Sequence, residues 1–164
     1  MAASTGPELS PRALGGYVVF LFLGLGLQAV FAGRITLLGG QPDFLLALAL
    51  CVALFTDAPT GAAAGFVSGL MTAAVTGQTM GTYLVTRTIA AALVGWLRKR
   101  FVRAGVLITL LGVGAGSIVA GTLYGLSNPR IGLAHWASLT FVGALFNMLV
   151  AVPVAVVLRL QTRS

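Results

Sequence analysis

The side chains able to do chemistry are few. The chain carries three acids (Glu8, Asp43 and Asp57), one histidine (His135) and one cysteine (Cys51). No two carboxylates are close in sequence, and there is no HExxH, CxxC, Walker loop or DNA-binding signature. A single cysteine excludes an intramolecular disulfide and reads as a small apolar residue. A hydrolytic or metal site would have to be assembled from these scarce parts. The run Gly65-Phe66-Val67-Ser68-Gly69 approaches an intramembrane serine protease motif, with one residue too many between glycine and serine. Its available base, His135, falls at the edge of the last apolar run, whereas Ser68 falls in the middle of the third. Ser68 therefore reads as a small packing residue. The sequence predicts no catalytic residue, no metal and no cofactor.

Arg87 is the charge placed clearly inside an apolar run. A guanidinium at such depth is costly and usually paired. Asp43 is expected at a similar depth on the same side. One reading is an ion pair that positions the fourth run against the second; the other is a side chain that snorkels to the interface. Asp43 and Asp57 each open an apolar run and suit helix N-caps. Gln28 and Asn147, also inside apolar runs, are expected to bond a neighbouring helix or their own backbone. Pro153 removes one backbone bond from the last run and should kink it.

The elements that must position these residues follow from composition. Of 164 residues, 58% are hydrophobic and 8% charged, against about 25% charged in a soluble domain. The mean hydropathy is +1.01. So little charge cannot cover a surface in water, and the solvent implied is lipid. Apolar runs of helix-compatible length fall at 13–32, 43–57, 60–77, 80–97, 105–126 and 134–158. Turn chemistry marks four of the breaks, Gly39-Gly40-Gln41-Pro42, Asp57-Ala58-Pro59, Gly77-Gln78 and Ser127-Asn128-Pro129, and the basic run Arg98-Lys99-Arg100 with Arg103 marks the one after the fourth run. The runs lack the alternation of barrel strands. The expected fold is all-α, a polytopic bundle of six transmembrane helices over 13–158, with tails at 1–12 and 159–164. The first run is read as an uncleaved helix rather than a signal peptide.

The net charge of +7 would suggest nucleic acid in a soluble protein. Here the basic residues flank apolar runs, where they set topology. Seven of them (Arg12, Arg98, Lys99, Arg100, Arg103, Arg159 and Arg163) fall on one side and two, Arg34 and Arg130, on the other. Both termini are therefore expected in the cytoplasm, with the basic loop Arg98, Lys99, Arg100 and Arg103 facing anionic lipid. Trp96 and Trp136 are expected as interfacial anchors at opposite sides.

Gly61, Gly65 and Gly69 sit four residues apart, and Ala73 and Gly77 continue the spacing. On a helix these positions share one face. Each interior glycine costs roughly 1 kcal/mol relative to alanine, but in lipid bare backbone is a docking surface. The ladder can be spent on neighbouring spans or on a partner's helix. Ala91 and Gly95, and Gly112, Gly116 and Ala120 with Gly121 and Gly125, form further small faces.

The middle of the chain resembles a known family. Gln41-Pro42-Asp43-Phe44-Leu45-Leu46, the stretch Gly61 to Gly69-Leu70, Gly81 after a short turn, and an apolar helix closing on Trp96-Leu97-Arg98-Lys99-Arg100 resemble the rod shape-determining protein MreD. The match covers about 60 residues of the chain's 164. That family commonly places an Asp shortly after the Gly-Leu; this chain has Met71-Thr72-Ala73-Ala74 there. The resemblance implies a non-enzymatic subunit of the bacterial cell-wall elongation machinery in the inner membrane. Its partners would be the MreC transmembrane helix and, beyond it, RodA, a class B penicillin-binding protein and the MreB filament. It also implies a fold similar to the S components of energy-coupling-factor transporters. Such an S component, a vitamin-binding subunit, is the alternative function. A vitamin site needs convergent polar groups, and the outer loops supply few: Arg34, Gln41, Gln78, Thr79, Asn128, Arg130 and His135.

Overall fold

Lipid offers the backbone no hydrogen-bond partners, so apolar runs of this length close their bonds internally as helices. The computed structural model describes residues 11–31, 33–77, 79–101 and 106–163. Its helices are α1 (Pro11–Phe31), α2 (Phe44–Phe55), α3 (Ala58–Thr76), α4 (Met80–Phe101), α5 (Val106–Ser127) and α6 (Leu133–Arg163). There is no β-strand among the described residues. The α1–α2 connection makes a tight turn in which Leu37 and Gly40 exchange both backbone bonds, at 3.0 and 2.8 Å.

Four helices, α3 to α6, are long and apolar enough to cross a membrane. α2 is not. Its 12 residues extend about 18 Å, against a hydrocarbon core of about 30 Å. The expected second span is thus a short helix in the middle of the bundle, and its position gives the reason. Every residue from Leu45 to Leu54 is buried, and α2 touches all five other helices. A helix apolar on every side suits either lipid or a protein core, and here its neighbours take the place of lipid.

The outside of the bundle is apolar: Phe22, Leu23, Leu70, Leu111, Leu145 and Leu149 are exposed. The inside holds Thr72, Arg87, Ser117, Thr140 and Asn147, all buried. This inverts the arrangement of a soluble domain and matches a chain whose solvent is lipid.

The glycine ladder is spent inside the chain. A Cβ on Gly61 would sit 2.7 Å from the Ala91 carbonyl oxygen, and one on Gly69 2.8 Å from that of Tyr83. A Cβ on Gly65 would run into the Arg87 carbonyl oxygen. From the other side, a Cβ on Gly95 would sit 2.6 Å from the Asp57 carbonyl oxygen. Bare backbone of α3 lies on backbone of α4, so Gly61, Gly65 and Gly69 are closed to a partner's helix. Ala73 is buried as well. Gly77 is a different case, because a Cβ there would meet nothing within 4 Å. It ends α3 in the left-handed region, φ 64°, its N–H donating to the Ala73 carbonyl. Its function is capping rather than packing. Gly77→Ala is expected to lower stability by about 1 kcal/mol, seen as a lower thermal midpoint, with Gly77→Asn losing less.

Asp57 opens α3. Its carboxylate accepts the Thr60 N–H at 3.0 Å, and Pro59 stands in the first turn. The Thr60 hydrogen bonds, with a smaller contribution from the Arg98 guanidinium, hold the Asp57 carboxyl below its ordinary range. The folded value is depressed, so the stabilisation is present above the ordinary carboxylate pKa and lost as pH falls through the folded value. Below about pH 4 the melting temperature of Asp57→Asn should fall less steeply than that of the parent.

Candidate functional site

A helix that begins inside a bundle leaves backbone N–H groups that its own turns cannot satisfy. At α2, side chains from three places take them. Asn147 Oδ1, from α6, accepts the Asp43 N–H at 2.8 Å. Gln28 Oε1, from α1, accepts the Phe44 N–H at 2.8 Å. Asp43 Oδ1 accepts the Leu46 N–H at 3.0 Å. Asn147 Nδ2 in turn donates to Ser117 Oγ of α5 at 3.0 Å. The two amides inside apolar runs thus serve the end of the central helix.

Arg87 of α4 reaches the same junction. Its Nη2 donates to Asp43 Oδ2 in an ion pair, and its guanidinium lies over the Tyr83 ring, 5.1 Å from the centroid. The Arg87 side chain is 3% exposed and that of Asp43 24%. The structure brings these two residues together, and Arg87 does not snorkel.

Beside the junction lies a cavity of about 500 Å³. It occupies the end of the bundle where α1 turns into α2, α3 into α4, and α5 into α6. Asp43, Arg87 and Asn147 line it with Thr72, Thr76 and Thr140. Tyr83, Tyr124 and Trp136 add aromatic walls. The two tyrosine rings are 5.2 Å apart. Trp136 packs onto α5: its ring fills the space at Gly125, and its Nε1 donates to the Gly121 carbonyl at 3.1 Å. Gly39 and His135 also line the cavity. Gly39 follows Leu38 in a turn where both residues have positive φ, 82° and 51°. Ser138 of α6 pins that turn, its Oγ donating to the Leu38 carbonyl.

The other candidates lie elsewhere. Arg98, Lys99 and Arg100 occupy the last turns of α4, at the opposite end of the bundle; Arg103 lies outside the described residues, as does most of the N-terminal tail. Ser68 is buried and donates to the Gly65 carbonyl at 2.9 Å, and it is not part of the cavity wall that holds His135. Among the described residues no three His, Cys, Asp or Glu side chains are grouped to hold a metal. Comparison with family models, characterised proteins and solved structures gives no match to this chain.

The cavity offers hydrogen-bond donors, one fixed ion pair and aromatic faces. Such a set suits non-covalent binding of a small molecule. Of the polar loop residues, Gln41 and His135 line it, while Thr72, Thr76, Arg87, Thr140 and Asn147 come from helix interiors, and the sequence carries a signal for two of those helices. Thr140 and Asn147 are seven residues apart and Thr72 and Thr76 four apart, so each pair shares a helix face. A polar face on an otherwise apolar helix needs something polar to meet.

Proposed function

We propose that the chain is a non-enzymatic membrane subunit of the bacterial cell-wall elongation machinery, of the MreD type. It acts by helix packing, as a scaffold for MreC and for the peptidoglycan synthases that MreC engages. One observation carries this reading. The residues of the resemblance, from Gln41 to Arg100, make up the single unit α2–α3–α4 and its caps. Within it Asp43 caps α2, the ladder seats α3 on α4, and Arg98 to Arg100 close α4. A likeness spread over residues with separate structural tasks weighs more than shared glycine content. In this reading all six helices lie within the inner membrane, α2 crossing it in part, with both termini cytoplasmic. The partner's helix docks on an outward face rather than on the ladder. Affinity purification in mild detergent is expected to bring down MreC; its absence, with a transporter ATPase module in its place, would overturn the proposal.

The cavity favours a second reading, an S component of an energy-coupling-factor transporter. Its volume lies within the range of small-molecule sites, about 300–1,000 Å³. The same purification separates the two readings by what accompanies the chain.

A further inference from the structure

Three polar atoms in the cavity wall are buried without a hydrogen-bond partner: Thr72 Oγ1, Arg87 Nη1 and Thr140 Oγ1. Their residues are 2%, 2% and 3% exposed and come from α3, α4 and α6. Buried polar side-chain atoms nearly always have a partner, so three unpartnered atoms on residues around one cavity point to a site suited to hydrogen-bond an occupant. Their chemistry says of what kind. Arg87 Nη1 can only donate, and a threonine hydroxyl can rotate to donate. The group they suit together is therefore an acceptor.

Asp43 does not supply it. Its Oδ2 accepts from Arg87 Nη2 and its Oδ1 from the Leu46 N–H, and neither oxygen bonds Arg87 Nη1 or the two hydroxyls. Among the described residues no other carboxylate falls at this end of the bundle, since Asp57 caps the far end of α3. The fixed charges here are Arg34, Arg87 and Arg130 against Asp43, a net of plus two. An acceptor arriving here meets excess positive charge. The guanidinium is also held in place, by Asp43 at one nitrogen and by the Tyr83 ring beneath, so little ordering is left to binding.

We propose that this cavity binds an oxyanion, a carboxylate or phosphate group, on Arg87 Nη1 and the hydroxyls of Thr72 and Thr140. The site rests on the cavity itself and holds whether the chain scaffolds or transports. The oxyanion comes either from a free small molecule or from a lipid headgroup.

The chain has two tryptophans, Trp96 and Trp136, and Trp136 lines the cavity. The Trp96→Phe protein, purified in an uncharged maltoside detergent, therefore reports on the site by fluorescence. Inorganic phosphate and acetate are titrated at constant ionic strength against chloride, and phosphatidylglycerol is titrated separately as mixed micelles. The expected result is a saturable change in Trp136 emission. Thr72→Val/Thr140→Val should weaken it at least about tenfold, as two lost bonds to a charged group imply, while melting at or above the parent temperature. Saturation by phosphate or acetate identifies a free anion as the source; saturation by phosphatidylglycerol alone identifies a headgroup. No saturable change with any of the three overturns the proposal. So does an equal response in the double valine variant, or a lowered melting temperature for that variant without ligand, since the hydroxyls would then be structural.

Discussion

Gly65→Ala is expected to destabilise the fold by about 2 kcal/mol, and Gly65→Leu to leave no folded protein. A Cβ at Gly65 meets the Arg87 carbonyl and lies 2.9 Å from both the Arg87 carbonyl carbon and the Ala91 Cβ. Two of these atoms are backbone of α4, which cannot turn aside as a flexible side chain would. Forcing one extra methyl into a packed interior costs about 1–3 kcal/mol, and the helix propensity of alanine returns up to about 1 kcal/mol of that. Leucine cannot fit without separating the two helices. Gly26 of α1 supplies the control, because a Cβ there meets nothing within 4 Å; Gly26→Ala should be neutral or slightly stabilising. Unfolding by SDS titration from mixed micelles, followed by helical circular dichroism, measures all three. If Gly65→Leu folded and lost only a partner, the ladder would face outward and the α3–α4 contact described above would be wrong.

The Asp43–Arg87 pair should respond asymmetrically. Asp43→Asn keeps an oxygen for the Leu46 N–H but leaves the guanidinium, 3% exposed, without its counter-charge. Breaking a buried pair from one side typically costs about 3–5 kcal/mol, and this variant should lie in that range. Arg87→Met should cost less, about 2 kcal/mol, because Asp43 is 24% exposed, retains the Leu46 bond and can be hydrated from the cavity. The double variant should be more stable than Asp43→Asn alone, since it leaves no unpaired charge. The same SDS titration gives the cycle, and strict additivity of the two single losses would show that the contact carries no coupling.

The helices were readable in the sequence because their signals are strong. Six apolar runs were broken by Gly, Pro, Asn and Asp and, after the fourth, by a basic run, and one helix occupies each run, α6 extending to Arg163 beyond the expected 158. What α2 does was not readable. A run such as Phe44-Leu45-Leu46-Ala47-Leu48, apolar on every face, looks the same whether lipid or protein surrounds it. Only its length, 12 residues, hinted at a core. The ladder was readable as a close-packing face, but not as the face of α4, because a sequence does not say which neighbour a bare backbone meets. The cavity was hidden for a further reason. Several hydroxyls in these helices bond their own backbone, as Thr76 does to Thr72, Thr88 to Leu84 and Thr122 to Ile118. A helical threonine is therefore usually silent, and Thr72 and Thr140 stand out only once three helices are placed around them.

The short central helix has an electrical consequence. The cavity reaches the N-terminus of α2 at Asp43, and beyond that point lie only about 18 Å of helix. Across a bilayer, water in the cavity would carry the bulk potential down to that depth. The voltage would then fall over roughly 18 Å instead of about 30 Å of hydrocarbon, a field steeper by about two-thirds. Moving one elementary charge through 100 mV is worth about 2.3 kcal/mol, so whatever fills this stretch must not conduct. Leu45 through Leu54, apolar and buried without interruption, offer no charged or strongly hydrogen-bonding side chain along that stretch.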